Sequence, residues 1–290
     1  MPLYVVAGLF GSLIGSFLNV VIYRLPRGMP MGMERSKCPL CSNQIAWYDN
    51  IPLFSWLILR ARCRACRARI PIRYPAVELL TAALFVVSLD RTLALGWSPL
   101  TVGFLIAALF CSVVVSLAFI DLDLGILPDA LTVKTLLPLG AVGAVLVPSI
   151  HGTALFGNDL AVGMKPGLAS LLVGGVSAAL AFGIMFAIGS LDRRRPAASE
   201  NEREEAAADP LQGARVWHGE AKFAAGIGLL LGFEPTLYAL GIALVLAAVV
   251  GGLRFLLTTR RRLPLGPFLG GGALIALFYA DSLARLLRDV

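Results

Sequence analysis

Long apolar stretches separated by shorter polar segments run along the whole chain of 290 residues. A helix that crosses a bilayer needs about 20 consecutive, mostly apolar residues. Seven stretches approach or exceed that length, and a shorter eighth stands beside them. The pattern therefore predicts an all-α polytopic membrane protein with about eight transmembrane helices. The predicted spans are 3–22, 76–95, 101–120, 130–149, 168–190, 221–234, 235–253 and 267–284.

The composition excludes an ordinary soluble domain. Apolar residues make up 58% of the chain and charged residues only 15%, whereas soluble domains carry about 25% charged residues. No basic residue precedes the first apolar stretch and no convincing small-residue cleavage site follows it. We therefore interpret residues 1–22 as a retained first helix rather than a signal peptide.

Basic residues fix the predicted orientation, because Lys and Arg beside transmembrane helices stay in the cytoplasm. With eight spans, 21 of the 25 Lys and Arg residues lie on one side of the membrane. We therefore expect an inner (cytoplasmic) membrane protein with an external N-terminus. These arginines lie at helix ends, which favours membrane lipid over nucleic acid as their partner. The loops predicted to be cytoplasmic are 23–75, 121–130, 191–220 and 254–266.

The polar segments define the predicted domains. Residues 23–75 form the only sizeable polar segment with folding signals, and they are too few for a large core. The loop 191–219 is rich in Ala, Glu and Arg, a composition that cannot bury enough apolar surface to order itself. We therefore expect a first helix at 1–22, a cytoplasmic module at 23–75 and a membrane domain at 76–290 with a flexible cytoplasmic loop at 191–219.

Four of the five cysteines form two C-x2-C pairs, Cys38 with Cys41 and Cys63 with Cys66. Two such pairs can place four thiolates around one tetrahedral zinc ion, which would supply folding energy to a segment without a core. This predicts a zinc-ribbon-like module with structural zinc. Two disulfides or a redox pair are the alternatives, and a reducing cytoplasm disfavours disulfides. Cys111 lies inside an apolar span and is expected to be a small buried hydrophobe.

Carboxylates at or inside membrane helices are costly, so each is a candidate for function. The predicted topology places Asp121 and Glu220 at the same membrane face, where two carboxyls can share a proton and activate one water, as in aspartic proteases. A simpler role stays open, since Glu220 and Glu78 both suit a helix N-terminus. Asp129 follows a proline and is expected to be an N-cap. Asp123 is expected on a different helix face from Asp121.

Seven motifs follow one another along the chain: residues 11–26 (GSLIGSFLNVVIYRLP), the first cysteine pair, 50–56 (NIPLFSW), the second cysteine pair, 73–80 (RYPAVELL), 120–129 (IDLDLGILPD) and 265–267 (LGP). In this order they resemble the motifs of bacterial type IV prepilin peptidases, which are membrane aspartic proteases of the GxGD type. The resemblance covers almost the whole chain.

This resemblance implies a function and assigns the two acids. Members of the family cut the basic leader from type IV prepilins and pseudopilins at the cytoplasmic membrane face. Many then methylate the new N-terminus with S-adenosylmethionine. Asp121 matches the first catalytic aspartate, and Glu220 matches the position of the second. The partners implied are prepilin or pseudopilin helices, in pilus assembly or type II secretion.

The sequence departs from the family's G-x-G-D-x-K pattern at two positions, with Trp217 in place of the first Gly and Glu220 in place of Asp. A degenerate member that binds or methylates pilin-like helices but cleaves poorly is therefore one alternative. A zinc-stabilised membrane scaffold or transporter is another. Transporters usually carry midplane ionisable groups or broken helices in matching halves, whereas the carboxylates here are predicted at one membrane face.

Overall fold

The computed structural model describes residues 1–32, 36–94, 102–146, 166–193, 210–257 and 264–288. Contacts divide the chain into a first compact unit, Met1–Ser116, and a second, Leu117–Val290. The first unit thus takes in residues 76–116, which the sequence analysis assigned to the 76–290 membrane domain. The reason is that the second long helix packs on the first one rather than starting a new domain.

The described residues form an all-α fold, as predicted. Four helices begin in the first unit, and six begin in the second, where a π-helical turn at Thr132–Leu136 joins two of them. Within the described residues, β-structure is limited to two isolated bridges in the cysteine module. The helices are α1 (Pro2–Arg24), α2 (Phe54–Ile58), α3 (Arg73–Ala94), α4 (Val102–Leu124), α5 (Asp129–Leu131), α6 (Leu137–Leu146), α7 (Pro166–Arg193), α8 (Pro210–Leu231), α9 (Phe233–Leu257) and α10 (Gly266–Arg288).

Each predicted span overlaps helical structure within the described residues, and the chain is a multi-pass membrane protein. Six helical segments of the described chain are long and apolar enough to cross a membrane by themselves. The helices α3 and α8, which cover the other two predicted spans, do not meet that criterion because charged residues interrupt their apolar runs. The six segments are Pro2–Arg27, Val102–Leu124, Asp129–Leu146, Gly167–Ser190, Phe233–Leu253 and Gly266–Leu286.

In the first unit, α1 and α3 pack side by side. A Cβ atom at Gly15 would lie 2.6 Å from the Cα of Glu78, so only glycine allows this close approach. The Asn19 side chain donates a hydrogen bond from Nδ2 to the backbone oxygen of Tyr74 at 3.2 Å, which ties the end of α1 to the start of α3. The cysteine module therefore begins and ends at two neighbouring helix ends.

In the second unit, α8 is the central helix. It contacts α6, α7, α9 and α10. Small residues let these neighbours come close, since a Cβ atom at Gly228 would lie 2.8 Å from the backbone of Ser177 on α7. Glu220 lies on this central helix, one turn before the fully buried Ala224.

The predicted flexible loop 191–219 is shorter at both ends than expected. The helix α7 continues to Arg193, and α8 begins at Pro210. Proline is favoured in the first turn of a helix, where its missing N–H has no helical partner to lose. The prediction treated this residue only as the end of a polar loop and missed the helix that it starts. The remainder, 194–209, lies outside the described residues.

Candidate functional site

The four paired cysteines form one cluster in the first unit. Their sulfur atoms all lie within 4.8 Å of one another, and the Sγ atoms of Cys38 and Cys66 are 3.8 Å apart. Tetrahedral metal–thiolate bonds of about 2.3 Å place sulfur atoms roughly 3.8 Å from each other. All five cysteines of the chain are described, and all are free thiols rather than disulfides. The cluster can therefore hold a metal ion, as the spacing predicted.

The two cysteine pairs lie on turns with matching hydrogen bonds. In the first turn, the N–H of Cys38 donates to the oxygen of Asn43 at 2.9 Å, and Ser42 takes a left-handed φ of 56°. In the second, the N–H of Cys63 donates to the oxygen of Ala68 at 2.8 Å. Such turns direct backbone N–H groups toward the sulfur atoms, and bonds from Cys41 and Leu40 lower the pKa of the Cys38 thiol to about 7. In the first turn the backbone thus favours the thiolate form of Cys38.

An ion pair ties the second turn to the rest of the module. The Arg64 guanidinium donates two hydrogen bonds to the Asp49 carboxylate, at 2.7 and 2.6 Å, and lies over the ring of Tyr48. This hydrogen-bonded guanidinium lowers the pKa of Asp49. A bidentate pair of this kind fixes orientation as well as distance.

Glu78 has a structural partner in the first unit. Its Oε2 accepts a hydrogen bond at 2.8 Å from the N–H of Leu53, the residue that precedes α2. Leu53 has a positive φ of 64°, which is uncommon for a residue other than glycine. The buried Glu78 carboxylate therefore holds the module against α3, which is more than the helix-dipole role considered from the sequence.

Asp121 lies near the end of α4, in the second unit, and is buried. Its Oδ2 accepts a hydrogen bond at 2.7 Å from the backbone N–H of Gly266, at the start of α10. The helix ends directly afterwards, where Gly125 takes a left-handed φ of 65° and its N–H donates to the backbone carbonyl oxygen of Asp121 at 2.8 Å. One carboxylate oxygen is thus oriented by a backbone donor that is 145 residues away in the sequence.

Gly266 cannot be replaced without moving Asp121. A Cβ atom on Gly266 would lie 2.7 Å from Oδ2 of Asp121 and 3.0 Å from its Cβ. This glycine belongs to the motif at 265–267, whose pattern alone indicates no role for it. Its role is to bring a backbone donor within reach of a buried carboxylate.

Glu220 is buried on α8, and contacts on both sides of it reach the segment that follows Asp121. A Cβ atom on Gly219 would lie 2.8 Å from the Cβ of Leu127. The Nζ of Lys222 lies 2.7 Å from Oδ1 of Asp129. The structure therefore brings the two segments that carry the predicted acids into contact.

Asp123 and Asp129, the other two acids near Asp121, differ in their surroundings. Asp123 is exposed whereas Asp121 is buried, as expected for residues on different helix faces. The N-cap prediction for Asp129 is wrong: Pro128 is the N-cap of α5, and Asp129 is the first helical residue. Its carboxylate pairs instead with Lys222, a partner 93 residues away. The side chain of Trp217 lies outside the described part of α8.

The chemistry open to this arrangement follows from burial and orientation. Two carboxyls held on contacting segments, with one oxygen fixed by a backbone donor, can share a proton and polarise a water. Both carboxyls are buried, and burial away from water strengthens their electrostatic interactions with a reacting group.

The first part of the chain matches a known protein family. The family profile of the bacterial peptidase A24 N-terminal domain matches residues 9–91, a range that contains most of α1, the cysteine module and most of α3. No solved structure matches the chain.

Relatives of known name extend the match. A prepilin leader peptidase/N-methyltransferase of Myxococcus xanthus is 51% identical over 127 residues, which is 44% of this chain and 36% of that protein. Proteins of the same name from Aeromonas hydrophila and Legionella pneumophila are 34% and 31% identical; their alignments cover 96% and 97% of this chain and 91% and 93% of those proteins. Similarity at this level, over nearly the full length of both chains, establishes that the chain belongs to the prepilin leader peptidase/N-methyltransferase family.

Proposed function

We propose that the chain is a membrane aspartic endopeptidase that removes the leader peptide from prepilins or pseudopilins, with Asp121 and Glu220 activating the attacking water. The observation that carries this proposal is that both acids are buried on segments held together by the Gly219–Leu127 contact and the Lys222–Asp129 ion pair. Of the other acids considered from the sequence, Glu78 accepts a hydrogen bond from Leu53 of the cysteine module, and Asp123 is exposed.

The roles of the two acids differ in the proposed mechanism. Asp121 accepts the N–H of Gly266 on one oxygen, so its other oxygen is available to a water. Glu220 shares the proton of the pair, acting as base toward the water and as acid toward the leaving amine. Like charges in a dry site disfavour double ionisation, so a singly protonated pair is the expected resting form.

Glutamate in place of aspartate is compatible with this role. The added methylene extends the carboxyl by more than 1 Å, a displacement large enough to matter for catalysis. We infer that the pocket is adapted to the longer acid, because Glu220 is buried within it and Gly219 keeps the close approach to Leu127. A degenerate member that binds pilin-like helices without cutting them is the competing interpretation.

The substrate is an apolar helix with a basic leader, and the cleavage site lies at the cytoplasmic membrane face. Support comes from the names of the relatives, which are prepilin leader peptidases. The predicted topology puts the end of α4 and the start of α8 on the cytoplasmic side, where most of the Lys and Arg residues lie. A substrate helix in the bilayer would present its first peptide bonds at this level.

The metal of the cysteine cluster is proposed to be zinc, bound by Cys38, Cys41, Cys63 and Cys66. Four thiolates at tetrahedral spacing leave no open position, which is typical of structural rather than catalytic zinc. The sulfur separations support this assignment. The ion would stabilise the module and take no part in peptide cleavage.

N-methylation of the new N-terminus is a second proposed activity, with S-adenosylmethionine as the methyl donor. It is supported by the names of the relatives, which include N-methyltransferase. The test is transfer of a labelled methyl group to a pilin cleaved beforehand by another route. Label on the new α-amino group is expected both with the wild type and with Glu220→Gln, and its absence in the wild type would contradict the proposal.

Cleavage of a co-expressed prepilin tests the peptidase. Asp121→Asn and Glu220→Gln are each expected to leave the precursor uncut, while Asp123→Asn, which changes an exposed acid two residues from Asp121, should cleave normally. Zinc content and membrane insertion should stay unchanged in all three variants. Processing at the wild-type rate by both Asp121→Asn and Glu220→Gln would overturn the assignment and favour the scaffold interpretation.

A further inference from the structure

A short segment of the cysteine module exposes an unusual amount of apolar surface. Trp47 is 75% exposed, Leu57 64% and Ile58 74%, and Phe54 is also exposed. Phe54, Leu57 and Ile58 are spaced i, i+3 and i+4 on α2, so they share one face of that helix. A helix on the surface of a soluble domain turns its apolar face inward, whereas α2 turns it outward.

The opposite side of this segment is fixed to the module. The buried Ser55 hydroxyl donates to the oxygen of Tyr48 and accepts from the N–H of Ile51, both at 2.9 Å. The indole N–H of Trp56 donates to the oxygen of Ile70 at 3.2 Å. The exposed face of α2 therefore belongs to a braced element rather than to a loose loop.

The position of α2 along the membrane helices is fixed by Glu78. Its bond to the N–H of Leu53 holds the start of α2 beside the second turn of α3. Glu78 lies five residues after Arg73, about 7.5 Å along the helix at 1.5 Å per residue. Glu78 is also the third residue of the predicted span 76–95. This places the apolar face of α2 at the level where that span enters the bilayer.

Positive charge continues directly from the apolar face. The chain after α2 forms the second cysteine turn, which carries exposed arginines on both of its arms. Apart from Asp49, which is paired with Arg64, the segment from 36 to 73 contains no acidic residue. The exposed arginines are Arg60, Arg62, Arg64, Arg67 and Arg69.

We propose that α2 and the preceding Trp47–Asn50 turn form a lipid-docking surface, which inserts the side chains of Phe54, Leu57 and Ile58 into the interface of the bilayer that α1 and α3 cross. The arginines that follow would bind anionic phospholipid headgroups. Aromatic residues beside aliphatic ones, next to a cationic polar face, are typical of interfacial helices. In the predicted topology this is the cytoplasmic leaflet, whose lipids are negatively charged.

Lipid is favoured over a peptide or a second copy of the chain because the module is tethered at both ends. The helix α1 leads into it and α3 follows it, and Asn19 joins their ends. The module therefore stays close to the membrane surface, whereas a protein partner would have to be recruited to it. The charge pattern also matches an anionic surface.

Site-specific photocrosslinking tests this surface in the full-length protein. A benzophenone amino acid replaces Leu57 or Ile58, each in a separate variant reconstituted in nanodiscs of phosphatidylglycerol and phosphatidylcholine. Val5, an exposed residue of α1, is the position expected to contact lipid. Gln44, an exposed polar residue of the first cysteine turn, is the matched position within the module. Intact-mass spectrometry then measures lipid adducts, and unchanged zinc content shows that the module is folded.

Adduct yields at Leu57 and Ile58 are expected to be several-fold above that at Gln44 and similar to that at Val5. Omitting phosphatidylglycerol should lower the yield at Ile58 and leave that at Val5 unchanged. Yields at both α2 positions no higher than at Gln44, or adducts formed only with a second copy of the chain, would overturn the proposal. An Ile58 yield that does not depend on phosphatidylglycerol would overturn the role of the arginines.

Discussion

The cysteine cluster of the first unit and the carboxylates of the second are built in opposite ways. The cysteine turns close on themselves through hydrogen bonds between near neighbours, such as Cys38 with Asn43. The carboxylates depend on partners far away in the sequence: Gly266 for Asp121, 145 residues away, and Lys222 for Asp129, 93 residues away. A local site needs little beyond its own segment and a metal ion, whereas the carboxylate site exists only when several helices are packed correctly.

Replacing a cysteine of the cluster is expected to give the largest difference in effect between the two regions. Cys38→Ser and Cys63→Ser should each remove bound metal, because a structural site loses most of its affinity with one of four thiolates. The helices of the second unit should remain inserted. Zinc is measured in protein purified without chelator, where wild type should hold about one equivalent.

Cys111→Ala is the control for the metal ligands, since Cys111 is buried in α4 away from any pair in sequence. It should keep its zinc. Less than about half an equivalent in the wild-type protein would contradict the zinc assignment.

The second expected effect is confined to the carboxylate region. Gly266→Ala should lower the cleavage rate by about 10²-fold or more, because the new methyl group would meet the Asp121 carboxylate and displace it. Gly271→Ala on the same helix is the control, since a Cβ atom there meets nothing within 4 Å. Equal cleavage rates for the two variants would show that the Gly266 contact does not orient the acid.

Glu220→Asp tests whether the carboxylate site is adapted to the longer acid. The backbone around Glu220 is held by Gly219 against Leu127 and by Lys222 with Asp129, so it cannot follow a shorter side chain. Cleavage should therefore fall by roughly 10- to 10²-fold. The rate is measured on one prepilin at matched protein levels. A rise in rate would mean that the pocket is built for aspartate and that Glu220 impairs it.

The smallest effect is expected at the ion pair beside the site. Lys222 is 29% exposed and Asp129 62% exposed, and pairs of this kind contribute about 0.2–1 kcal/mol. Lys222→Gln should therefore slow cleavage by roughly 2- to 5-fold. Asp129→Asn should do the same, and the double variant should be no slower than either. A loss of cleavage rate in the double variant equal to the product of the two single losses would show that the two residues act separately.

The same contrast explains what the sequence could predict. The four-cysteine cluster follows from spacing alone, because each pair lies on one local turn. Six of the eight predicted spans follow from apolar length, and the other two, in α3 and α8, are interrupted by charged residues. Asp121 and Glu220 could be grouped only through topology and family resemblance, since no local pattern links residues 99 positions apart in the chain.

The residues that were misjudged have partners that no local rule reveals. Asp129 looked like an N-cap, but Pro128 takes the extended conformation of the cap and Lys222 binds the carboxylate. Glu78 looked like a helix-end acid, and its actual partner is the N–H of Leu53. Pro210 starts a helix inside a segment whose composition predicted a loop. In each case tertiary contact or helix-end geometry decided the outcome.

The central claim is that Asp121 and Glu220 act as one unit, and a double-variant cycle tests it most directly. The cleavage rate of purified, reconstituted protein is measured for Asp121→Asn, Glu220→Gln and the combination. Each single change should reduce the rate by on the order of 10³-fold or more, and the combination should reduce it no further, because a pair that shares one proton fails when either member is lost. Losses that multiply in the double variant, or a wild-type rate in either single variant, would contradict the claim.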